Sequence, residues 1–231
     1  MQFQRKIRLA FLLGASLALL PGQAFAGASV RLTTGGLVTP SPEFELVSQG
    51  EGMPTMGLIG GYALDDSFSI EVGLHYAGTQ ATLFGNQYGG LRLLTLELTA
   101  GYYQPLWKSL GTSVRLGVLG DLARLQLLYQ STQDRFRCWA AGFGLEGLLG
   151  LEIRSSLESR RHDGTIRGTG RAVHFLLEAG YRWRPGALPF HHLKRKVARE
   201  AEVDRIELDT IDAGRLRLSG AVIQVSAGLS F

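Results

Sequence analysis

Phe68-Ser69-Ile70-Glu71-Val72-Gly73-Leu74-His75-Tyr76-Ala77 decides the fold. Phe68, Ile70, Val72, Leu74 and Tyr76 share one parity while Ser69, Glu71, Gly73 and His75 share the other, so an extended chain turns an apolar face one way and a polar face the other. Just upstream, Asp65-Asp66-Ser67 has the composition of a tight turn. Before it, Thr55 to Leu64 sets Met56, Leu58, Tyr62 and Leu64 against Gly57 and Gly61, and the two segments read as a hairpin. Large aliphatic and aromatic side chains outside, with small and charged ones inside, is the period-two pattern a membrane barrel requires.

Six further segments repeat it, giving eight in all. Ser29 to Val38 does so weakly. Leu93 to Tyr103 places Leu94, Leu96, Leu98, Ala100 and Tyr102 outward against Thr95, Glu97, Thr99 and Gly101, and Pro105 closes it. Thr112 to Ala123 sets Val114, Leu116, Val118 and Leu122 against Ser113, Arg115, Gly117 and Asp121. Trp139 to Ile153 is longer than the roughly 9 to 11 residues that cross a bilayer. Ala172 to Trp183 alternates Val173, Phe175, Leu177, Ala179, Tyr181 and Trp183 with His174, Glu178 and Arg182. The eighth, Leu216 to Phe231, turns Ala221, Ile223, Val225, Ala227, Leu229 and Phe231 outward. Many of the 31 glycines fall on the inward parity, where a small barrel is crowded.

A soluble β-sandwich also alternates. Its buried face, however, does not explain charges repeatedly opposite a Leu-rich and aromatic parity, nor the start of the chain. There Arg5, Lys6 and Arg8 precede the apolar run Leu9 to Leu20, and Ala24-Phe25-Ala26 supplies small residues for cleavage. Residues 1–26 are expected to be a secretory signal peptide removed after Ala26, leaving 27–231 as one barrel domain. The run is short of the roughly 20 residues a spanning helix needs. Its removal leaves 21 basic against 20 acidic side chains, so nothing points to nucleic acid. A single cysteine, Cys138, rules out an internal disulfide framework. Without a second apolar run of helical length, spanning requires a closed barrel, because lipid offers backbone groups no partners.

The expected fold is therefore an all-β, eight-stranded antiparallel transmembrane β-barrel. With both termini periplasmic, residues 39–54, 78–92, 124–138 and 184–215 become extracellular loops, and 65–67 and 104–111 periplasmic turns. The connection Arg154 to Arg171 breaks that rule by its length. A ten-stranded count, with an extra hairpin from this region or from Arg205 to Ile211, is the alternative.

The strand Leu176-Leu177-Glu178-Ala179-Gly180-Tyr181-Arg182-Trp183, the opening Leu218-Ser219-Gly220 of the last strand and the terminal Phe231 resemble the small outer-membrane β-barrel domain family, similar to the OmpA transmembrane domain, OmpX and OmpW. The resemblance covers nearly all of the mature chain and concerns architecture. It implies residence in the outer membrane of a Gram-negative bacterium, contact with outer-membrane lipid and lipopolysaccharide, and Phe231 as part of the signal read by the barrel-assembly machinery. A monomer without cofactor, catalytic residue or metal is expected, and a periplasmic peptidoglycan-binding domain is not implied.

Inward parity collects Glu71, His75, Glu97, Arg115, Asp121, Glu146, Glu152, His174, Glu178 and Arg182. An eight-stranded bore is just filled by side chains, so these groups are expected to pair and close it, with Arg115 and Arg182 as the cations for Glu97, Glu178 and their neighbours. The functional alternative is a narrow channel for ions or small hydrophobic solutes lined by the same residues. A lipid A-modifying enzyme is the third reading. His75, His174, His191 and His192 sit in no recognisable Ser and acid motif, and His191-His192 lacks zinc-site spacing. Residues 193–205 mix Lys194, Arg195, Lys196, Arg199 and Arg205 with Glu200, Glu202 and Asp204, as in a solvated face. A short loop helix aligning Val197, Ala201 and Asp204, or contact of the cations with lipopolysaccharide phosphates, are further readings of that stretch.

Overall fold

A computed structural model describes residues 27–231 except 42, 43, 45, 46, 49, 51, 83–86, 108, 130–133, 157, 158, 161–165, 168–171, 192, 197–209, 212 and 213. The expected signal peptide lies outside the described residues. Eight strands form the wall: β1 (Ala28–Val38), β2 (Gly52–Ala63), β3 (Phe68–Thr82), β4 (Gln87–Pro105), β5 (Leu110–Tyr129), β6 (Asp134–Ser156), β7 (Ala172–Trp183) and β8 (Gly220–Ser230). Each pairs antiparallel with its neighbour in sequence, and β8 returns to β1 through Ser29↔Ser230 to Val38↔Ala221, which closes the sheet. Closure pairs the strands all round the ring through its lower part, the condition for a sheet to stand in lipid.

The two regions suspected of supplying a ninth and tenth strand form small additions outside the ring. Ser159–Arg160 pairs with Ile166–Arg167 within the long β6–β7 connection. Leu193–Lys196 pairs along the top of β6 and carries Thr210–Ile211 on its other side. At 193–196, therefore, the backbone is extended; the rest of the suggested helix lies outside the described residues. Leu216, expected to begin the last strand, pairs instead with Leu188, and Arg215 beside it with Pro189.

Strand length is the larger correction. β3, β4, β5 and β6 run 15, 19, 20 and 23 residues, against roughly 9 to 11 needed to cross. Most of 78–92 and 124–138, expected as loops, continues the strands upward. The cause is an inversion of the alternation. In the lower part of the wall Val72, Leu96, Leu98, Leu116, Val118, Phe143, Leu149 and Ile223 are exposed outward, forming a lipid-facing band. Above it the outward residues become Gln80, Arg92, Arg124 and Arg137, while Ala77, Ala81, Leu91, Leu93, Ala123, Leu125, Phe136 and Ala140 are buried inside. That is the pattern of a β-barrel in water, whose core must be apolar.

The upper interior is consequently an apolar core. Leu37, Met53, Leu91, Leu93, Leu125 and Phe136 from the wall meet Phe44 and Val47 from the β1–β2 connection and Leu188, Phe190, Leu216 and Leu218 from the β7–β8 connection. Phe44 and Leu37 are wholly buried. Chain entering from both connections thus fills the bore above the bilayer, and the polar residues lie beneath it.

Candidate functional site: the charged interior

Inward glycines make the lower bore wide enough for long side chains. A Cβ on Gly57 or Gly73 would come within 2.5 or 2.9 Å of the His75 ring, and one on Gly150 within 2.9 Å of Glu178 Cγ. A larger residue there would have to displace these side chains, so glycine at these positions leaves room for the charged groups.

Arg115, projecting from β5, occupies the centre. Its Nη1 donates to both carboxylate oxygens of Glu178 on β7, at 3.0 and 2.8 Å, and its Nη2 to Glu97 Oε1 on β4 at 2.9 Å. Its Nε lies 2.8 Å from Glu71 Oε2 on β3. One guanidinium therefore joins carboxylates from three other strands while only 2% exposed. The carboxylates have further partners. Arg31 Nη2 donates to Glu71 at 2.6 Å, Gln224 Nε2 to Glu178 at 2.8 Å and Thr99 Oγ1 to Glu97 at 2.6 Å. His75 Nε2 lies 2.9 Å from Glu97 Oε2 without a well-aligned hydrogen bond. Arg182 contacts Glu146 through Nε and approaches Glu97 at 3.6 Å.

Above and below this centre are two smaller clusters. Arg184 holds Asp121 through Nε at 2.5 Å and Nη2 at 3.1 Å, and its Nη1 donates to Leu218 O at 2.6 Å, just under the apolar core. Thr95 Oγ1 donates to the same carboxylate at 2.6 Å. At the turn end, His174 Nδ1 lies 2.6 Å from Glu152 Oε1 and its Nε2 2.7 Å from Ser230 Oγ. Arg154 Nε reaches Glu152 at 2.7 Å, with its guanidinium 3.5 Å over the Tyr103 ring.

All ten interior residues named from sequence, Glu71, His75, Glu97, Arg115, Asp121, Glu146, Glu152, His174, Glu178 and Arg182, are buried inside the wall. The structure brings Arg115 to both Glu97 and Glu178, while Arg182 turns mainly to Glu146. Sequence reasoning missed Arg31, Gln224, Arg184 and Ser230 as members. The signal was present in each case: Arg184 follows Arg182 by two, and Ser230 and Gln224 share a parity in the last strand. Arg31 was hidden by the weak alternation of β1. Of the remaining histidines, the His191 carbonyl accepts from Cys138 Sγ at 3.0 Å, and His192 lies outside the described residues.

Electrostatically, six carboxylates face five guanidiniums and two imidazoles within this bore. Buried charges survive only when paired and hydrogen-bonded; here each of these carboxylates has a cationic partner and at least one hydrogen bond, while Glu97 Oε2 and Glu146 Oε1 carry no hydrogen bond. The Ser230–His174–Glu152 chain has the connectivity of a nucleophile, a base and an orienting acid. Acyl transfer also needs donors aimed at a developing oxyanion. Around Ser230 the backbone is engaged with both neighbouring strands: Ser230 is registered with Ser29 and Ala172, and Phe231 N donates to Ala28 O at 2.9 Å.

Comparison with known proteins places this geometry. Residues 8–231 match the family described as outer membrane protein beta-barrel domain. Among solved structures, Neisserial surface protein A is similar with a TM-score of 0.46 and 14% identity, over 88% of this chain and 95% of that one. No curated protein sequence matches.

Proposed function

Since the chain belongs to the outer membrane protein beta-barrel domain family and is an integral barrel of the outer membrane, we propose that it has a structural or surface-interaction role with its interior sealed. The observation that carries this reading is Arg115, which ties β5 to carboxylates on β3, β4 and β7 across the bore. The apolar core above it supplies a second barrier, since ions pay heavily to enter a water-free apolar region. In this account residues 1–26 are removed on export, the barrel works as a monomer without cofactor, and its lipid surroundings include lipopolysaccharide. Planar-bilayer recording tests the reading: the folded protein should show no steady single-channel conductance, and a stable open level would replace the sealed barrel with the channel.

The serine and histidine at the turn end make enzymatic chemistry the reading to exclude. With the local backbone held in the sheet, no oxyanion site faces Ser230 among the described residues, and Ser230 should remain unmodified by a fluorophosphonate probe, as read by intact mass. A stoichiometric adduct on Ser230 that disappears in His174→Asn would establish an activated nucleophile instead.

A further inference from the structure

We propose that Arg92, Arg124 and Arg137, on the outer wall just above the apolar band, form a clasp for a phosphoryl group of a phosphorylated glycolipid in the outer leaflet. The inference rests on the outer-membrane reading and gives the lipid contact a site.

The register sets the geometry. One row across the outer wall reads Gly78, Arg92, Arg124, Trp139, and the next row up reads Gln80, Gly90, Gln126, Arg137. Arg92 and Arg124 are direct cross-strand neighbours, and Arg137 is diagonal to Arg124. Like charges placed so close oppose each other. Among the described residues no carboxylate pairs with any of the three. Nε of Arg124 and Nε of Arg137 are both buried without a hydrogen-bond partner. The only described contacts of the Arg124 guanidinium are neutral: Nη2 donates to Gln126 Oε1 at 2.9 Å, and the group lies 5.6 Å from the Trp139 ring centroid. An anion between the arginines would satisfy these donors and offset the repulsion.

Shape agrees with charge. Gly89 and Gly90 leave a cleft among Gln80, Tyr88, Arg92, Arg124 and Gln126. Gly90 is not required by crowding, because a Cβ there would meet nothing nearer than 3.5 Å. The small residue at Gly90 therefore keeps the cleft open beside the arginines.

Height selects the source of the phosphate. The arginine row lies one step beyond Tyr76, Leu94 and Leu122, the top of the continuous outward apolar band on β3, β4 and β5, which is about 7 Å along the strand. Trp139 marks the same level, and aromatic girdles sit at the headgroup interface. The strands that run on past the apolar band and the β1–β2 and β7–β8 connections lie at this end, and the tight turn at Asp65–Ser67 at the other, so it is read as facing outward from the cell. Guanidinium groups bind phosphate oxygens bidentately, which suits a headgroup phosphate held beside the wall.

The test is native mass spectrometry of the folded, full-length mature barrel in detergent with EDTA, using bis-phosphorylated lipid A, its dephosphorylated form and inorganic pyrophosphate as separate probes. Bis-phosphorylated lipid A should give retained adducts, at least tenfold above the dephosphorylated lipid. The triple variant R92Q/R124Q/R137Q should lose them, and so should Gly90→Leu, which fills the cleft while keeping every charge. Heat-modifiable gel mobility reports barrel formation separately, so a lost adduct on a folded barrel is distinguishable from failure of the outer-membrane reading. Equal adducts on wild type and triple variant, or equal retention of both lipids, would overturn the clasp. Pyrophosphate binding as tight as that of the lipid would overturn the lipid as its source.

Discussion

Arg115 shows how one side chain can fix the state of a barrel. Its guanidinium is surrounded by Glu71, Glu97 and Glu178, and each carboxylate is held in turn by another donor, so the cation cannot leave without stranding buried negative charge. Arg115→Ala should cost roughly 3 to 5 kcal/mol, the penalty of breaking a buried pair from one side. Reversible urea unfolding in lipid vesicles measures this, and a loss below about 1 kcal/mol, typical of exposed pairs, would show the site to be hydrated. Arg154, whose side chain is 36% exposed, serves as the internal comparison. Arg154→Ala should lose much less because water can replace the cation at Glu152.

At the scale of the element, each long strand carries two opposite codes. In β5, Val114, Leu116, Val118 and Leu122 face out, then the apolar parity moves inside at Ala123 and Leu125 while Arg124 and Gln126 face out. The lipid-facing half was legible in the sequence because outward Leu and aromatic residues alternate with charges. The upper half was read as loop because a single rule, apolar outward, was applied throughout, and residues such as Arg92, Arg124 and Arg137 on that parity looked like the end of a strand. Turn chemistry could not mark the true ends either, since 83–86 and 130–133 occupy only short gaps. The inversion predicts position-specific effects. Leu125→Ala should open a cavity and cost about 2 to 5 kcal/mol, whereas Leu122→Ala, facing lipid, should cost clearly less. Equal losses in vesicle unfolding would contradict the assigned faces.

The last strand joins folding to delivery. β8 closes the ring against β1, and Phe231 extends that closure: Gly27 N donates to Phe231 O at 2.8 Å and Phe231 N to Ala28 O. We propose that its side chain is read during insertion. Phe231→Ala should then lower the folded yield in cells while leaving refolding in detergent nearly unchanged. An equal deficit in both settings would assign the residue to closure rather than to recognition.

For the whole molecule, the proposed sealed state closes the bore twice: by paired charges within the bilayer and by apolar side chains above it. Parity alone revealed that charges faced inward and required pairing. Which cation met which carboxylate depended on shear and on side chains from distant strands, such as Arg184 with Asp121 and Arg31 with Glu71. The contribution of Phe44 and Phe190 was equally hidden, because neither lies on a barrel strand. The most direct test of closure is side-chain NMR of the Arg guanidiniums in the folded barrel in micelles. If the interior is sealed, the Arg115 Nε–H resonance, identified by its loss in Arg115→Lys, should exchange with water far more slowly than that of exposed Arg92; exchange at the same rate would mean that water fills the bore.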